Sequence, residues 1–282
     1  MNFHWRIQGQ DHDLTHRGMV MGIVNVTPDS FSDGGRYLDT GRAVEHALTL
    51  VAEGADILDI GGESTRPGAD PVDEAEELKR VLPVIRAVRS ETKTLISIDT
   101  MKANVARAAL EAGADIINDV TGLRGDPMMC RVAAETEAGL VVMHMLGTPR
   151  TMQQQAVYED VVAEVQTYFE ERLHILAEQG IAPECIVLDP GFGFAKTLEH
   201  NISLMQALPS LAVQGRPVLV GVSRKTLISR LLESDDVNDR DWPTVALTSY
   251  SRELGARIVR VHQVKANVEA LRMTEAILGP KE

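Results

Sequence analysis

Short apolar runs, each followed by a longer stretch with helical periodicity, recur along this chain from end to end. The runs are Val20–Val26, Asp56–Ile60, Thr94–Asp99, Asp115–Val120, Leu140–Met145, Cys185–Asp189, Pro217–Val222 and Arg257–His262. Strand and helix alternating in this way builds a parallel sheet, because parallel neighbours need a crossover between them. Eight such units in 282 residues predict an α/β chain folded as a single-domain (β/α)8 TIM barrel over residues 20–279, preceded by an N-terminal extension, 1–19. The runner-up is an open doubly wound sheet, but no GxGxxG opens the first unit. A repeated junction supports the barrel. Glu-Gly-Ala-Asp at 53–56, Glu-Ala-Gly-Ala-Asp at 111–115 and Glu-Leu-Gly-Ala-Arg at 253–257 each put glycine where a helix must stop before a strand.

Composition narrows the class of partner. The chain is 44% hydrophobic, and 28 Lys and Arg face 41 Asp and Glu, a net charge of −13 that disfavours nucleic acid and anionic membranes. An anionic ligand must therefore meet local cations. Cys130 and Cys185 lie on different segments, so a reducing, cytoplasmic setting without a disulfide framework is expected. No apolar stretch approaches a membrane span, and no targeting segment is expected. The acidic cluster Glu74–Glu77 is read as a solvated helix face or a dipole-favoured first turn.

Candidate chemistry gathers at the C-terminal ends of the runs, where barrels carry their active sites. Met21 to Gly35 is an apolar strand ending on Asn25 and entering a polar, glycine-ended loop; a buried amide without a partner costs roughly 1–3 kcal/mol. The second run opens into the loop Gly61–Gly68 with Thr65 and Arg66; later ends deliver Asp99, Asn118 with Asp119, Met143 with His144, Asp189, Lys225, and Arg260 with His262. Asp99, Asn118, Asp189 and Lys225 suit a flat neutral heterocycle, since a carboxylate takes two hydrogen bonds from an amino-pyrimidinone edge and an ammonium serves its carbonyl. Phe192 or Phe194 would cover a ring face. Asn25, Arg66, Arg260 and His262 suit a phosphate or diphosphate, with Mg²⁺ as the accompanying ion. His144, between two methionines, reads as a core histidine, and Arg224 is left out of the site because it alternates with Lys225.

These motifs, NVTPDSFSDGG (25–35), GGESTRPG (61–68), SIDT (97–100), IIND (116–119), LDPGFGF (188–194), SRK (223–225) and RVH (260–262), together resemble the dihydropteroate synthase family over nearly the whole chain. The resemblance implies a homodimeric barrel that joins 6-hydroxymethyl-7,8-dihydropterin diphosphate to p-aminobenzoate with Mg²⁺, and that sulfonamides target. It assigns Asp99, Asn118, Asp189 and Lys225 to the pterin, with Met143 and Phe194 lining the pocket. Asn25 is assigned to the metal and, with Thr65 nearby, Arg260 and His262 to the diphosphate. Phe31, Asp33 and Arg66 are expected to close over the site, with Lys225 and Thr226 bordering the p-aminobenzoate pocket. Gln263 departs from the family's usual Asp, Thr226 from its Ser, and the segment Asp235–Thr244, with Trp242, is assigned to the outer layer or a dimer surface. A folate-binding methyltransferase acting with a corrinoid shares the barrel, but the SFSDGG, STRPG and SRK motifs argue against it. A noncatalytic pterin-binding paralogue is the other alternative.

Overall fold

A computed structural model describes residues 2–27, 36–65, 68–148 and 150–279. The chain begins with an antiparallel hairpin, β1 (His4–Ile7) and β2 (Gln10–Asp13), turned at Gln8 and Gly9, both at positive φ. The barrel follows in chain order: β3 (Met19–Asn25), α1 (Arg36–Ala52), β4 (Ile57–Gly61), α2 (Glu74–Glu91), β5 (Leu95–Asp99), α3 (Ala103–Glu111), β6 (Ile116–Asp119), α4 (Met129–Thr136) and β7 (Gly139–Met143). Its second half is α5 (Val161–Glu178), β8 (Ile186–Asp189), α6 (Leu198–Gln206), β9 (Leu219–Val220), α7 (Thr226–Leu232), α8 (Asp241–Glu253), β10 (Ile258–Val261) and α9 (Val264–Leu278). The eight-stranded sheet runs in the order β8-β7-β6-β5-β4-β3-β10-β9, with every pairing parallel, and a parallel bridge from Leu188 to Val218 closes it. The TIM barrel expected from periodicity is the fold, and each expected strand overlaps one of β3 to β10, the seventh shrinking from the expected Pro217–Val222 to Leu219–Val220. Among the described residues no helix is long and apolar enough to cross a membrane.

The repeated junctions close their helices alike. Gly54, Gly113 and Gly255 stand at φ of 99°, 111° and 105°, where a side chain would be strained. Each following alanine donates back to a carbonyl five residues earlier: Ala55 to Leu50, Ala114 to Ala109 and Ala256 to Ser251. This is the Schellman closure, and the next residue then joins a barrel strand, as when the Asp115 amide donates to Ile96 at 2.7 Å.

Strand alternation splits the core in two. Outward residues such as Val20, Val24, Leu58 and Ile60 pack under the helices. Inward residues at the strand starts, among them Met21, Ile57, Ile116, Val141 and Ile258, form a second cluster. The N-terminal extension plugs the barrel there: Phe3, Trp5, Ile7 and Leu14 complete the second cluster, Trp5 is fully buried, and its Nε1 donates to the Cys185 carbonyl at 2.8 Å. The acidic cluster begins α2, as one of the two readings had it, yet Glu77 is fully buried and accepts from Lys102 Nζ at 2.5 Å. A carboxylate there is tolerable because a cation meets it.

Candidate active site

Backbone register assembles the mouth. Asn25 pairs with Gly61, Gly61 with Asp99, and Asp99 with Asn118, so four strands set these positions in one row; further round the sheet, on β7 and β8, Met143 lies beside Asp189. Partners in a sheet row share a face, and Gly61 leaves that row open between Asn25 and Asp99.

A carboxylate that the sequence reading passed over organises the row. Asp59, two residues below Gly61 on β4, is fully buried. Its Oδ2 accepts from Arg260 Nε at 2.6 Å and from Asn118 Nδ2 at 3.1 Å. The other arm of Arg260 donates to Asp99 Oδ2 at 2.8 Å. Sequence reasoning had grouped Arg260 with an anion end; in the structure its guanidinium lies between Asp59 and Asp99 and joins the two groups of residues. One guanidinium cannot neutralise two buried carboxylates. Burial first, and then the Asp59 charge, push Asp99 up to about 7 against the pull of Arg260. Because a carboxylate only accepts, Asn118 turns its NH₂ toward Asp59, which leaves Oδ1 as its acceptor edge.

Across the mouth, Asp189 is buried at the end of β8 and its Oδ1 accepts from the Gly191 amide at 2.7 Å. Lys225 reaches in from the loop before α7; its Nζ donates to the Phe192 carbonyl at 2.5 Å and lies 4.6 Å from the centre of the Phe194 ring. Burial lowers Lys225 to about 8, opposed by Asp189. Phe194, not Phe192, is therefore the aromatic face at this lysine: Phe192 is buried in the outer core. Met143 is buried beside Val120, Met145 and Ala195.

Behind this wall His144 is buried with its Nδ1 at 3.0 Å from Lys196 Nζ, and Lys196 also donates to the Phe194 carbonyl at 3.0 Å. Burial drives His144 down to about 2, so the imidazole is neutral and accepts from the lysine. The core reading of His144 fits its packing edge-on to Tyr168. Lys196, buried beneath the GFGF turn, was missed; a lysine following an apolar glycine loop was the available signal.

The remaining candidates lie at the edges. His262 Nδ1 is 2.9 Å from Ser223 Oγ, and half-buried Asn25 lines, with His262, Arg224 and Gln263, a cavity of about 670 Å³ beside the mouth. Thr65 is half-buried in the loop after β4, and Thr226 is exposed at the start of α7. Phe31, Asp33 and Arg66 lie outside the described residues. Arg224 is turned to Asp241.

Fold and site define a (β/α)8 barrel enzyme with a cluster of buried polar side chains at the C-terminal mouth of its strands. The family described as pterin binding enzyme matches residues 21–262, and the chain belongs to that family. More particularly, it is 47% identical over 275 residues to the dihydropteroate synthase of Escherichia coli (strain K12), covering 98% of this chain and 96% of that one. A solved dihydropteroate synthase of Xanthomonas albilineans with 4-aminobenzoic acid superposes at a TM-score of 0.92, with 43% identity and full coverage of both chains. A second solved structure from that organism, in complex with 7,8-dihydropteroate, gives 0.88 at 41% identity, covering 99% of this chain and all of the other.

Proposed function

We infer that the chain catalyses the dihydropteroate synthase reaction, joining 6-hydroxymethyl-7,8-dihydropterin diphosphate to p-aminobenzoate and releasing 7,8-dihydropteroate and diphosphate. The observation that carries this is the convergence of buried Asp99, Asn118 and Asp189 from three strand ends, and of Lys225 from the loop before α7, on one mouth. Relatives solved with 4-aminobenzoic acid and with 7,8-dihydropteroate support the same substrates here.

Asp189 and the Oδ1 of Asn118 take the donors of the heterocycle, and Lys225 serves its carbonyl. Met143 and Phe194 flank the ring. As the pterin CH₂–O bond breaks, ionised Asp99 favours the positive charge spreading into the ring, while Arg260 and His262 favour the negative charge leaving with the diphosphate. The arylamine nitrogen forms the new bond to the methylene carbon, then sheds a proton. Phe31, Asp33 and Arg66 exclude water and, with Lys225 and Thr226, shape the p-aminobenzoate side, while Thr65 serves the diphosphate.

Among the described residues no group of three or more His, Cys, Asp or Glu could hold a metal, so a resident cage does not fit. Asn25, a neutral oxygen donor beside His262, fits Mg²⁺ that arrives on the diphosphate and keeps most of its waters. Bound there, the ion would offset charge on the leaving group. A homodimer is supported by exposed Leu231, Trp242, Tyr250, Met273 and Ile277 on α7, α8 and α9. Two free cysteines support a reducing, cytoplasmic setting.

The test is incubation with the pterin diphosphate, Mg²⁺ and p-aminobenzoate, with dihydropteroate measured by mass alongside released diphosphate. Matched appearance of both is expected. Pterin binding without either product would replace this reading with a noncatalytic paralogue.

A further inference from the structure

Lys225 needs a firm support, and its own strand is a weak one. β9 contains two residues, Leu219–Val220, so little sheet pairing holds the loop that follows. Next to the lysine, Arg224 stands at φ 56°, a left-handed conformation unfavourable for any residue other than glycine. Such a conformation persists where the surroundings over-determine it.

The surroundings are the segment to which sequence analysis gave no function. The Arg224 amide donates to Thr244 Oγ1 at 3.3 Å, and its carbonyl accepts from Arg240 at 3.0 Å. Its guanidinium meets Asp241 through two bonds, Nε to Oδ1 at 2.6 Å and the second arm to Oδ2 at 3.0 Å. Arg240 is itself tied to the Asp235 carbonyl at 3.2 Å, and Thr244 Oγ1 donates to the Arg240 carbonyl at 2.7 Å. Gln263, which precedes α9, donates Nε2 to Asp241 Oδ2 at 2.7 Å. Backbone and side chain of Arg224 are thus gripped by the start of α8, and the carboxylate in that grip is oriented from β10's end.

We propose that Asp241 is a positioning residue for Lys225, acting through Arg224, and that Gln263 orients the Asp241 carboxylate for this task. The inference rests on the reading of Lys225 as a substrate contact. A forked guanidinium on a carboxylate fixes direction as well as distance, which a lysine or a single bond would not. Without it the 223–225 turn relaxes and the ammonium leaves its place over Phe194. A misplacement of about 1 Å can cost on the order of 100-fold in rate.

The test compares the wild-type full chain with Asp241→Ala, Gln263→Glu and the double variant, measuring kcat and KM for each substrate. Asp241→Ala is expected to lower kcat/KM for the pterin diphosphate about 10- to 100-fold, with KM for p-aminobenzoate changing far less. Gln263→Glu preserves length and delivers a carboxylate to the same place. It should therefore lower turnover in the wild-type background, where it faces Asp241, and restore it in Asp241→Ala. A packing role for Asp241 would give no such reversal; a change of the same sign in both backgrounds, or Asp241→Ala within two-fold of wild type, overturns the proposal. If Asp241→Ala does not fold, Asp241→Asn keeps the shape, removes the charge and carries the same comparison. A wild-type chain without turnover would instead remove the function on which the inference rests. Crystal structures of the variants read the clamp whatever the turnover: Arg224 should leave the left-handed region and Lys225 should leave the Phe192 carbonyl, whereas an unmoved pair overturns the clamp.

Discussion

The two ends of the barrel are built by the same strands and are opposite in chemistry. At the strand starts the inward positions are Met21, Ile57, Ile116 and Ile258, sealed by Trp5 from the N-terminal hairpin. A few residues further along, the inward positions become Asn25, Asp99, Asn118 and Asp189. One end gains stability by burying apolar surface. The other spends stability to keep charges buried, and it can do so because Arg260 and Lys225 stand among the carboxylates. Each end should therefore fail in its own way when altered.

The largest effect belongs to the sealed end. Trp5→Ala removes a fully buried indole and the bond to Cys185, and should cost about 3–5 kcal/mol in urea unfolding. The fraction that still folds should retain its kcat/KM; a loss of activity without a loss of stability would erase the division of labour. At the open end the pattern inverts. Asp189→Ala should weaken pterin binding by calorimetry roughly 10- to 150-fold, since the heterocycle loses a charged acceptor, while the melting temperature holds or rises. Unchanged affinity would take Asp189 out of the site.

A subtler change tests how the open end is wired. Asp59→Asn keeps the shape but withdraws the charge that holds Arg260 and orients Asn118, and should lower pterin affinity about 5- to 10-fold. Last is the pH profile of kcat/KM. With Asp99 raised to about 7 and Lys225 lowered to about 8, the proposed roles require Asp99 to have lost its proton and Lys225 to have kept its own. The profile should rise through the first value and fall through the second. Because the Asp59 charge helps hold Asp99 up, Asp59→Asn should shift the rising limb to lower pH. A rising limb that stays put would show that Asp59 acts on Asp99 through geometry alone.

What could be read in the sequence follows the range of the forces involved. Strands, helix ends and the glycine closures depend on neighbours within a few residues, and the quasi-repeats at Gly54, Gly113 and Gly255 announced them. The row of polar strand ends was legible because register turns similar positions in each unit into spatial neighbours. Asp59 was not, because it interrupts an apolar strand at mid-length and its partner Arg260 is 201 positions away. An ionisable residue inside an apolar run was the signal available. The hairpin shows alternating Phe3, Trp5 and Ile7, but nothing local says that the far end of a barrel is waiting for them. Arg224 stayed outside the site by alternation, and only the bend at its own backbone turned it toward Asp241.

The Trp5 contact also sets an order of events while the chain is being made. Its hydrogen-bond acceptor, the Cys185 carbonyl, lies 180 positions downstream. At synthesis rates of about 5–20 residues per second, that acceptor arrives on the order of 10–40 s after the indole. Until then Phe3, Trp5 and Ile7 lack the barrel end they finally fill, and the ribosome delivers the stopper well before the vessel.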